Sequence, residues 1–406
     1  MESRLISLMH FTNSTARGGA EEHILTLLRG LDRQIFRLHL VCPDELAQQM
    51  RADLPQDVEL IPLNLRRPTQ VGAALRFAGL LRNRQVQILH SHLFYSSLFA
   101  SPVGRVSGVP LIIETPHINE LWRHGWVKGS YIIDRFAGRF VDYYVAVSHA
   151  NAEYLVQHKR LPAGKVVVIR NGCDLRRFEN PESRAGTLKK TLGFGVDDPV
   201  LVHVGRLEPQ KGHQVLLEAL TIVRREFPDV RLVCVGEGAL RGEIEQRSRS
   251  LGLEPSVRLV GFQGNIPEWL ALADMVVLPS FFEGLPIAAI ESLAASKAVV
   301  ATAVDGTPEV IIHGKTGLTV PPGNPAALAE AIGRLLGDSE VRKSMGEAGR
   351  KWVQENFSQE QQVHKTTELY LQGLARKRRR VRVTNAGVAR QDFEAPSVAV
   401  TLEGRK

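Results

Sequence analysis

Short apolar runs recur along most of this chain, with helical stretches between most of them. Leu5–Met9, Leu38–Cys42, Ile88–His90, Leu111–Glu114, Tyr143–Val147 and Val166–Arg170 form one series. Val200–Val204, Arg231–Val235, Val257–Val260, Met275–Leu278, Ala298–Ala301 and Leu318–Val320 form a second. Runs of this length, bounded by turn residues, read as buried strands. Strands that alternate with helices predict a parallel sheet with crossover helices. Between the series, residues 175–199 turn polar and charged around Pro181, Gly186 and Asp197-Asp198, which predicts a linker flank. The expected fold is α/β, with two Rossmann-like halves whose loops gather at the C-terminal strand ends and face a cleft between them.

A chain of 406 residues is long for one core, and a hydrophobic fraction of 44% suffices for two. Cys42, Cys173 and Cys234 are odd in number, widely spaced and without metal-ligand spacing, which predicts a reducing, cytoplasmic setting. Glu2 and Arg4 lead directly into the first strand, so no signal peptide is expected. No stretch of about 18 apolar residues is present to span a membrane. The net charge is +8, but residues 376–406 hold nine Lys/Arg against three acids, leaving only +2 for the rest. That imbalance argues against a nucleic-acid partner. The block Arg376-Lys377-Arg378-Arg379-Arg380 reads equally as a disordered, solvated end or as a polybasic contact with an anionic membrane surface.

Two segments carry chemistry. In Phe282-Glu283-Gly284-Leu285-Pro286-Ile287-Ala288-Ala289-Ile290-Glu291, two carboxylates stand eight residues apart. The apolar run before it predicts a strand ending at Pro279-Ser280, and Pro286 suits the first turn of a helix. Glu283 then sits at the helix mouth and Glu291 inside the helix, separated by a rise of about 9 Å. The free N–H groups between them favour negative charge. A sugar–diphosphate–ribose ligand has that layout, with hydroxyls at both ends and anion in the middle; an ordinary strand–loop–helix with one capping Glu has the same sequence. In Val202-His203-Val204-Gly205-Arg206-Leu207-Glu208-Pro209-Gln210-Lys211-Gly212, a second strand again runs into a loop and a helix, expected over about residues 213–227. Arg206 and Lys211 in that loop are placed for a pyrophosphate.

These motifs resemble the donor site of retaining glycosyltransferases of family 4, with the GT-B fold. Gly205-Arg206-Leu207, then Lys211-Gly212, and about 70 residues later Glu283 and Glu291, carry the likeness. Gly18-Gly19-Ala20-Glu21 after the first strand, His117 in Glu114-Thr115-Pro116-His117, and Asn171-Gly172-Cys173-Asp174 extend it, with Cys173 replacing the family's usual valine. Asp305-Gly306-Thr307-Pro308-Glu309 and Gly314-Lys315-Thr316-Gly317-Leu318 match later loops. The resemblance covers residues 4–374 and implies an N-terminal acceptor-side domain (1–185), a nucleotide-sugar-binding domain (186–357), a helix returning to the first domain (358–374) and a basic, disordered tail (375–406).

It further implies a nucleotide-sugar donor, most often UDP-linked, and a glycan or lipid-linked acceptor. Arg206 and Lys211 would stabilise the departing diphosphate, Glu283 would bind the sugar, His117 would position it, and Glu291 would hold the ribose. Gly18, Gly19, Gly205, Phe262, Gly284 and Leu285 complete the implied donor site. No cofactor is expected, and no Asp-x-Asp occurs to hold a metal on the diphosphate. His90 and His92 share a strand face, but no third ligand with suitable spacing is evident, so a structural or acceptor-side role is expected and no metal site. The stretch Leu121–Lys128, with Trp122 and Trp126 among basic residues, reads as an acceptor or membrane loop, aided by Arg66, Arg67, Arg76, Arg82 and Arg84, or as a partly buried interdomain loop. Two other readings stay open: a sugar-nucleotide epimerase or hydrolase on the same fold, and a non-catalytic sugar-nucleotide-binding subunit.

Overall fold

In the computed structural model, residues 5–67, 69–120, 130–179 and 185–385 are described. Thirteen strands form two wholly parallel sheets among them. The first has seven strands in the order β3-β2-β1-β4-β5-β6-β7: β1 (Ile6–Thr12), β2 (Phe36–Cys42), β3 (Glu59–Pro62), β4 (Ile88–His92), β5 (Leu111–Thr115), β6 (Tyr143–Ala146) and β7 (Val166–Val168). The second has six in the order β10-β9-β8-β11-β12-β13: β8 (Val200–Val204), β9 (Arg231–Val235), β10 (Val257–Leu259), β11 (Met275–Leu278), β12 (Ala298–Thr302) and β13 (Gly317–Val320). The two sheets have the same winding, outward from β1 and from β8, reversing between β1 and β4 and between β8 and β11.

The central strands are buried and mostly apolar because helices cover both faces, with His10 in β1 and His90, Ser91 and His92 in β4 as buried polar exceptions. In the first domain one core packs Leu8, Leu38, Ile88, Leu111 and Ile113 on one face, and a second packs Met9, Val41, Leu89 and Ile112 on the other. The second domain repeats this with Leu201, Leu232, Val277 and Val300 against Val202, Val233, Val276 and Val299. Residues alternate between the faces along each strand. The sequence reading missed β3, an edge strand that is half-buried, four residues long and ends in Pro62; proline is tolerated at such an edge because it donates nothing to a ladder.

The last helix returns to the first domain, as expected. Its Tyr370 is fully buried among Phe36 and the β-strand side chains, and its hydroxyl lies 2.6 Å from His90 Nδ1. Gln362 accepts the Gly172 N–H at 2.7 Å, and Ser358 bridges to Cys173. The expected stop at Leu374 and disordered tail from 375 need correction. The helix runs Gln359–Asn385. Lys377 Nζ lies 2.5 Å from Asp142 Oδ1, and Arg376 donates to the Tyr143 hydroxyl at 3.0 Å, so the basic block begins as helix docked on β6. Arg and Lys are good helix formers, and these anchors hold the extension. Residues 386–406 lie outside the described residues, as does the Trp122 and Trp126 stretch. No described helix is long and apolar enough to cross a membrane.

Candidate active site

The two domains meet across a cavity of about 620 Å³. Ligands of open α/β sheets bind where the strand order reverses. Here β8 and β11 are hydrogen-bonded neighbours at such a point, and the loops that leave them carry Arg206, Lys211 and Glu283. This topology brings together two motifs that lie about 70 residues apart in the chain. All eleven residues expected at the site line the cavity: Gly18, Gly19, His117, Gly205, Arg206, Lys211, Phe262, Glu283, Gly284, Leu285 and Glu291.

Lys211 ends a short 3-10 turn, Pro209–Lys211. Gly212 follows with φ +66 and starts the helix His213–Val223, shorter than the stretch expected. A Cβ at Gly212 would meet the Pro279 carbonyl oxygen at 2.1 Å, so only glycine permits this contact between the β8 and β11 loops. The contact sets Lys211 Nζ 2.5 Å from Glu283 Oε1. Glu283 also accepts from Ser280 Oγ at 2.7 Å, while its own N–H donates to Asp305 Oδ2 at 2.8 Å. Asp305 is held in turn by Asn119 Nδ2 of the first domain at 2.9 Å. Glu283 is thus fixed by three side chains, one of them a cation, at the mouth of the helix Ile287–Ala294. That helix is capped by Pro286 rather than containing it, and its first N–H groups open on the cavity.

Arg206 is exposed and reaches towards the first domain: a Cβ at Gly18 would lie 3.4 Å from its Cδ and Nε. Gly205 runs beside the Lys211 stem, 3.4 Å from its Cδ and Cε by the same measure. Glu291 is buried, and burial pushes its carboxyl up to about 7, with Arg177 Nη1 3.7 Å away as partial compensation. Phe262 is half exposed, with the Arg17 guanidinium 5.5 Å from its ring centroid. Arg17 also pairs with Glu22 at 2.6 Å. Arg17 and Arg177, which also line the cavity, were not found by sequence reasoning. Arg17 precedes the glycine pair directly, which was the available signal; nothing local marks Arg177.

His117 follows β5 with φ +69. Its Nε2 lies 3.1 Å from His92 Nδ1, and His92 Nε2 lies 2.9 Å from His10 Nδ1. His23 stacks edge-on to His117 with centroids 4.7 Å apart. Sequence spacing offers no third ligand beside His90 and His92; the fold supplies His10, His23 and His117 as neighbours. His10 comes from β1, His23 from the helix Gly19–Gly30 and His117 from the loop after β5, positions that no short-range spacing reveals.

The other recognised loops hold the domains together. Glu309 accepts from the Ala150 N–H at 3.0 Å and from Arg170 Nη2 at 3.1 Å. Ser148 caps its helix by accepting from Asn151 N–H and donates to the Gly284 carbonyl at 2.9 Å.

Comparison with known proteins agrees with this geometry. Residues 17–177 match the family described as Glycosyltransferase Family 4, and residues 186–352 match Glycosyl transferases group 1. An alpha-maltose-1-phosphate synthase of Mycolicibacterium smegmatis is 30% identical over 305 residues, covering 70% of this chain and 78% of that one. An Escherichia coli UDP-Gal:alpha-D-GlcNAc-diphosphoundecaprenol alpha-1,3-galactosyltransferase is 24% identical over 378 residues, 90% of this chain and 97% of that one. Among solved structures, Anabaena HepE in complex with UDP-glucose superposes with a TM-score of 0.79 at 21% identity, covering 89% of this chain and 99% of that one. Two parallel-sheet domains around a charged cleft define a glycosyltransferase of the GT-B fold, an enzyme that transfers sugars. Within that class, the chain belongs to the glycosyltransferases of family 4.

Proposed function

We propose that this enzyme is a retaining, metal-independent glycosyltransferase that moves a hexosyl unit from a UDP-sugar to a glycan or lipid-linked acceptor. The Lys211–Glu283 pair at the switch point of the second domain carries the reading. A cation and a carboxylate side by side at that point suit a diphosphate and the hydroxyls of its sugar. The UDP preference draws support from the UDP-glucose complex of HepE and the UDP-Gal named for the Escherichia coli relative.

The diphosphate would lie between Arg206, Lys211 and the N–H groups of the helix Ile287–Ala294. As the anomeric C–O bond breaks, negative charge grows on the leaving phosphate, and preorganised donors there have most leverage. The acceptor oxygen would bond to the anomeric carbon on the same face, giving its proton to a phosphate oxygen. No protein nucleophile is required. Glu283, held by Ser280 and Lys211, would orient the sugar with His117. Glu291, supported by Arg177, would accept from the ribose hydroxyls, and Phe262 would flank the base. Gly18 and Gly19 would close the first domain on the phosphates, with Gly205, Gly284 and Leu285 shaping the pocket.

The domain division at 185/186 and 357/358, and a cytoplasmic location, belong to this proposal; the three buried, free cysteines suit a reducing compartment. A peripheral contact with an anionic membrane belongs to it too. Ile132, Ile133 and Phe136 of the helix Ser130–Ala137, and Val71 and Leu75 of the helix Val71–Asn83, are exposed beside Arg76, Arg135 and Arg139. Apolar side chains mixed with cations suit a lipid headgroup boundary.

Incubation with UDP-, GDP- and ADP-sugars tests the donor assignment without an acceptor. Slow hydrolysis confined to UDP-sugars is expected. Turnover of ADP- or GDP-sugars in preference would overturn it.

A further inference from the structure

Five histidines of the first domain, His10, His23, His90, His92 and His117, are buried together behind the cleft. The proposed transfer uses only His117. One ring nitrogen each from His23, His92 and His117 converges within 4.8 Å. We propose that these three form a binding site for a divalent transition-metal ion of the Zn²⁺ or Co²⁺ type.

The supports are rigid and separate. His23 sits on the helix Gly19–Gly30, His92 ends β4, and His117 is fixed in the turn after β5. The second nitrogen of two of the rings is already held, as metal-bound imidazoles require. His23 Nδ1 lies between Asn171 Oδ1 at 2.8 Å and Gln362 Nε2 at 2.9 Å; in the tautomer that donates to Asn171, Nε2 is left bare. His23 Nε2 is buried with no hydrogen-bond partner among the described residues. His92 Nε2 lies 2.9 Å from His10 Nδ1, leaving Nδ1 to face His117.

Burial keeps the rings neutral: His23 is lowered to about 4, and His92 and His117 fall well below the ordinary histidine value. Each neutral ring offers one lone pair; in the His92–His117 hydrogen bond one nitrogen carries the proton, which moves to that ring's other nitrogen when both coordinate. Three imidazoles without a carboxylate favour a nitrogen-preferring ion over Mg²⁺ or Ca²⁺.

The His92–His117 separation is 3.1 Å, against about 3.3 Å between nitrogens at the corners of a tetrahedron with 2.0–2.1 Å bonds. A few tenths of an ångström would convert that hydrogen bond into shared coordination. His117 lines the cleft, which supplies an entry path and an open fourth position. The neighbouring trio His10, His90 and His92 also converges. There, however, His90 commits both nitrogens, to Tyr370 at 2.6 Å and Thr115 Oγ1 at 2.7 Å, and an ion would have to break one of those bonds.

If His117 contacts the donor sugar as proposed above, an ion at this site would draw it away, so occupancy would inhibit transfer. That consequence rests on the donor reading; the site itself does not.

The full chain, stripped of metal and freed of chelator, is titrated with Co²⁺ and followed by visible absorption. One equivalent with the intense bands of tetrahedral cobalt is expected, displaced by Zn²⁺. His23→Gln and His92→Gln should each weaken binding at least tenfold, while His158→Gln and His364→Gln, on exposed histidines, should leave it unchanged. Absence of tetrahedral bands, or bands that survive in both cleft variants, would overturn the proposal. Should those variants not fold, proton NMR of the Co²⁺-loaded wild-type protein decides: three hyperfine-shifted ring N–H signals support three imidazole ligands, and fewer contradict them.

Discussion

The carbonyl oxygen of His117 fills the space where a side chain at position 284 would begin. A Cβ built on Gly284 would lie 1.7 Å from it. One glycine therefore sets how closely the two domains approach beside Glu283. Gly284→Ala should force that contact apart by an ångström or more. Misplacements of this size cost roughly 10²-fold in rate. kcat/KM should fall by about that factor while the far-UV circular dichroism stays native, because neither domain core includes residue 284. Kinetics near wild type would mean that the cleft works in a more open arrangement than this one.

Replacing Arg206 and Lys211 tests their proposed role as counter-charges to a leaving diphosphate. Arg206→Ala or Lys211→Ala should each lower kcat by roughly 10²-fold or more, the range for a lost oxyanion donor. Folding should be little changed, since both residues lie in a loop. In Lys211→Ala, Glu283 also loses its cation, so Lys211→Arg, which keeps the charge, should retain more activity. Saturating donor with a near-normal rate in either Ala variant would remove the assignment.

The two carboxylates should separate. Glu291→Gln should weaken affinity for free UDP, whereas Glu283→Gln should leave it intact and lower kcat, because the sugar contact lies nearer the developing charge. A calorimetric titration with UDP reads the difference, and the opposite order would exchange their roles.

Glu291 also makes a stability prediction. Burial raises its folded-state value from 4.5 to about 7. Between those values the folded protein holds a proton that the unfolded chain has lost, so this group's contribution falls as pH rises through that window and levels off above it. Glu291→Gln removes the dependence. The melting temperature of the variant relative to wild type should therefore climb from pH 5 to pH 7.5. A constant difference across that range would show that Glu291 is ionised in the folded state throughout.

Sequence alone exposed the parts of this enzyme written in contiguous residues. Val200–Val204, Arg231–Val235 and Met275–Leu278 were delimited correctly because strands buried on both faces are nearly continuous apolar runs. Arg206, Lys211 and Glu283 could be placed at the cavity because each stands at a strand–loop–helix junction, and Glu291 because it lies eight residues on in the helix that follows. Illegible parts depend on distant neighbours. Half-buried β3 lacks a pattern strong enough to read. Arg376 and Lys377 look like a solvated end until Tyr143 and Asp142 are placed beside them. The histidine cluster assembles from two strands, the turn after a third and a helix, and His10 meets His92 across 82 residues.

Direct observation of the sugar product tests the central claim most closely. A UDP-α-sugar is incubated with the enzyme in excess EDTA, and the anomer first released, or first transferred, is recorded by proton NMR before mutarotation. Turnover undiminished by EDTA, giving the α-configured product, is the predicted result. A β-configured product, or activity abolished by chelation and restored by Mg²⁺ or Mn²⁺, would contradict a retaining transfer whose diphosphate charge is carried by Arg206 and Lys211.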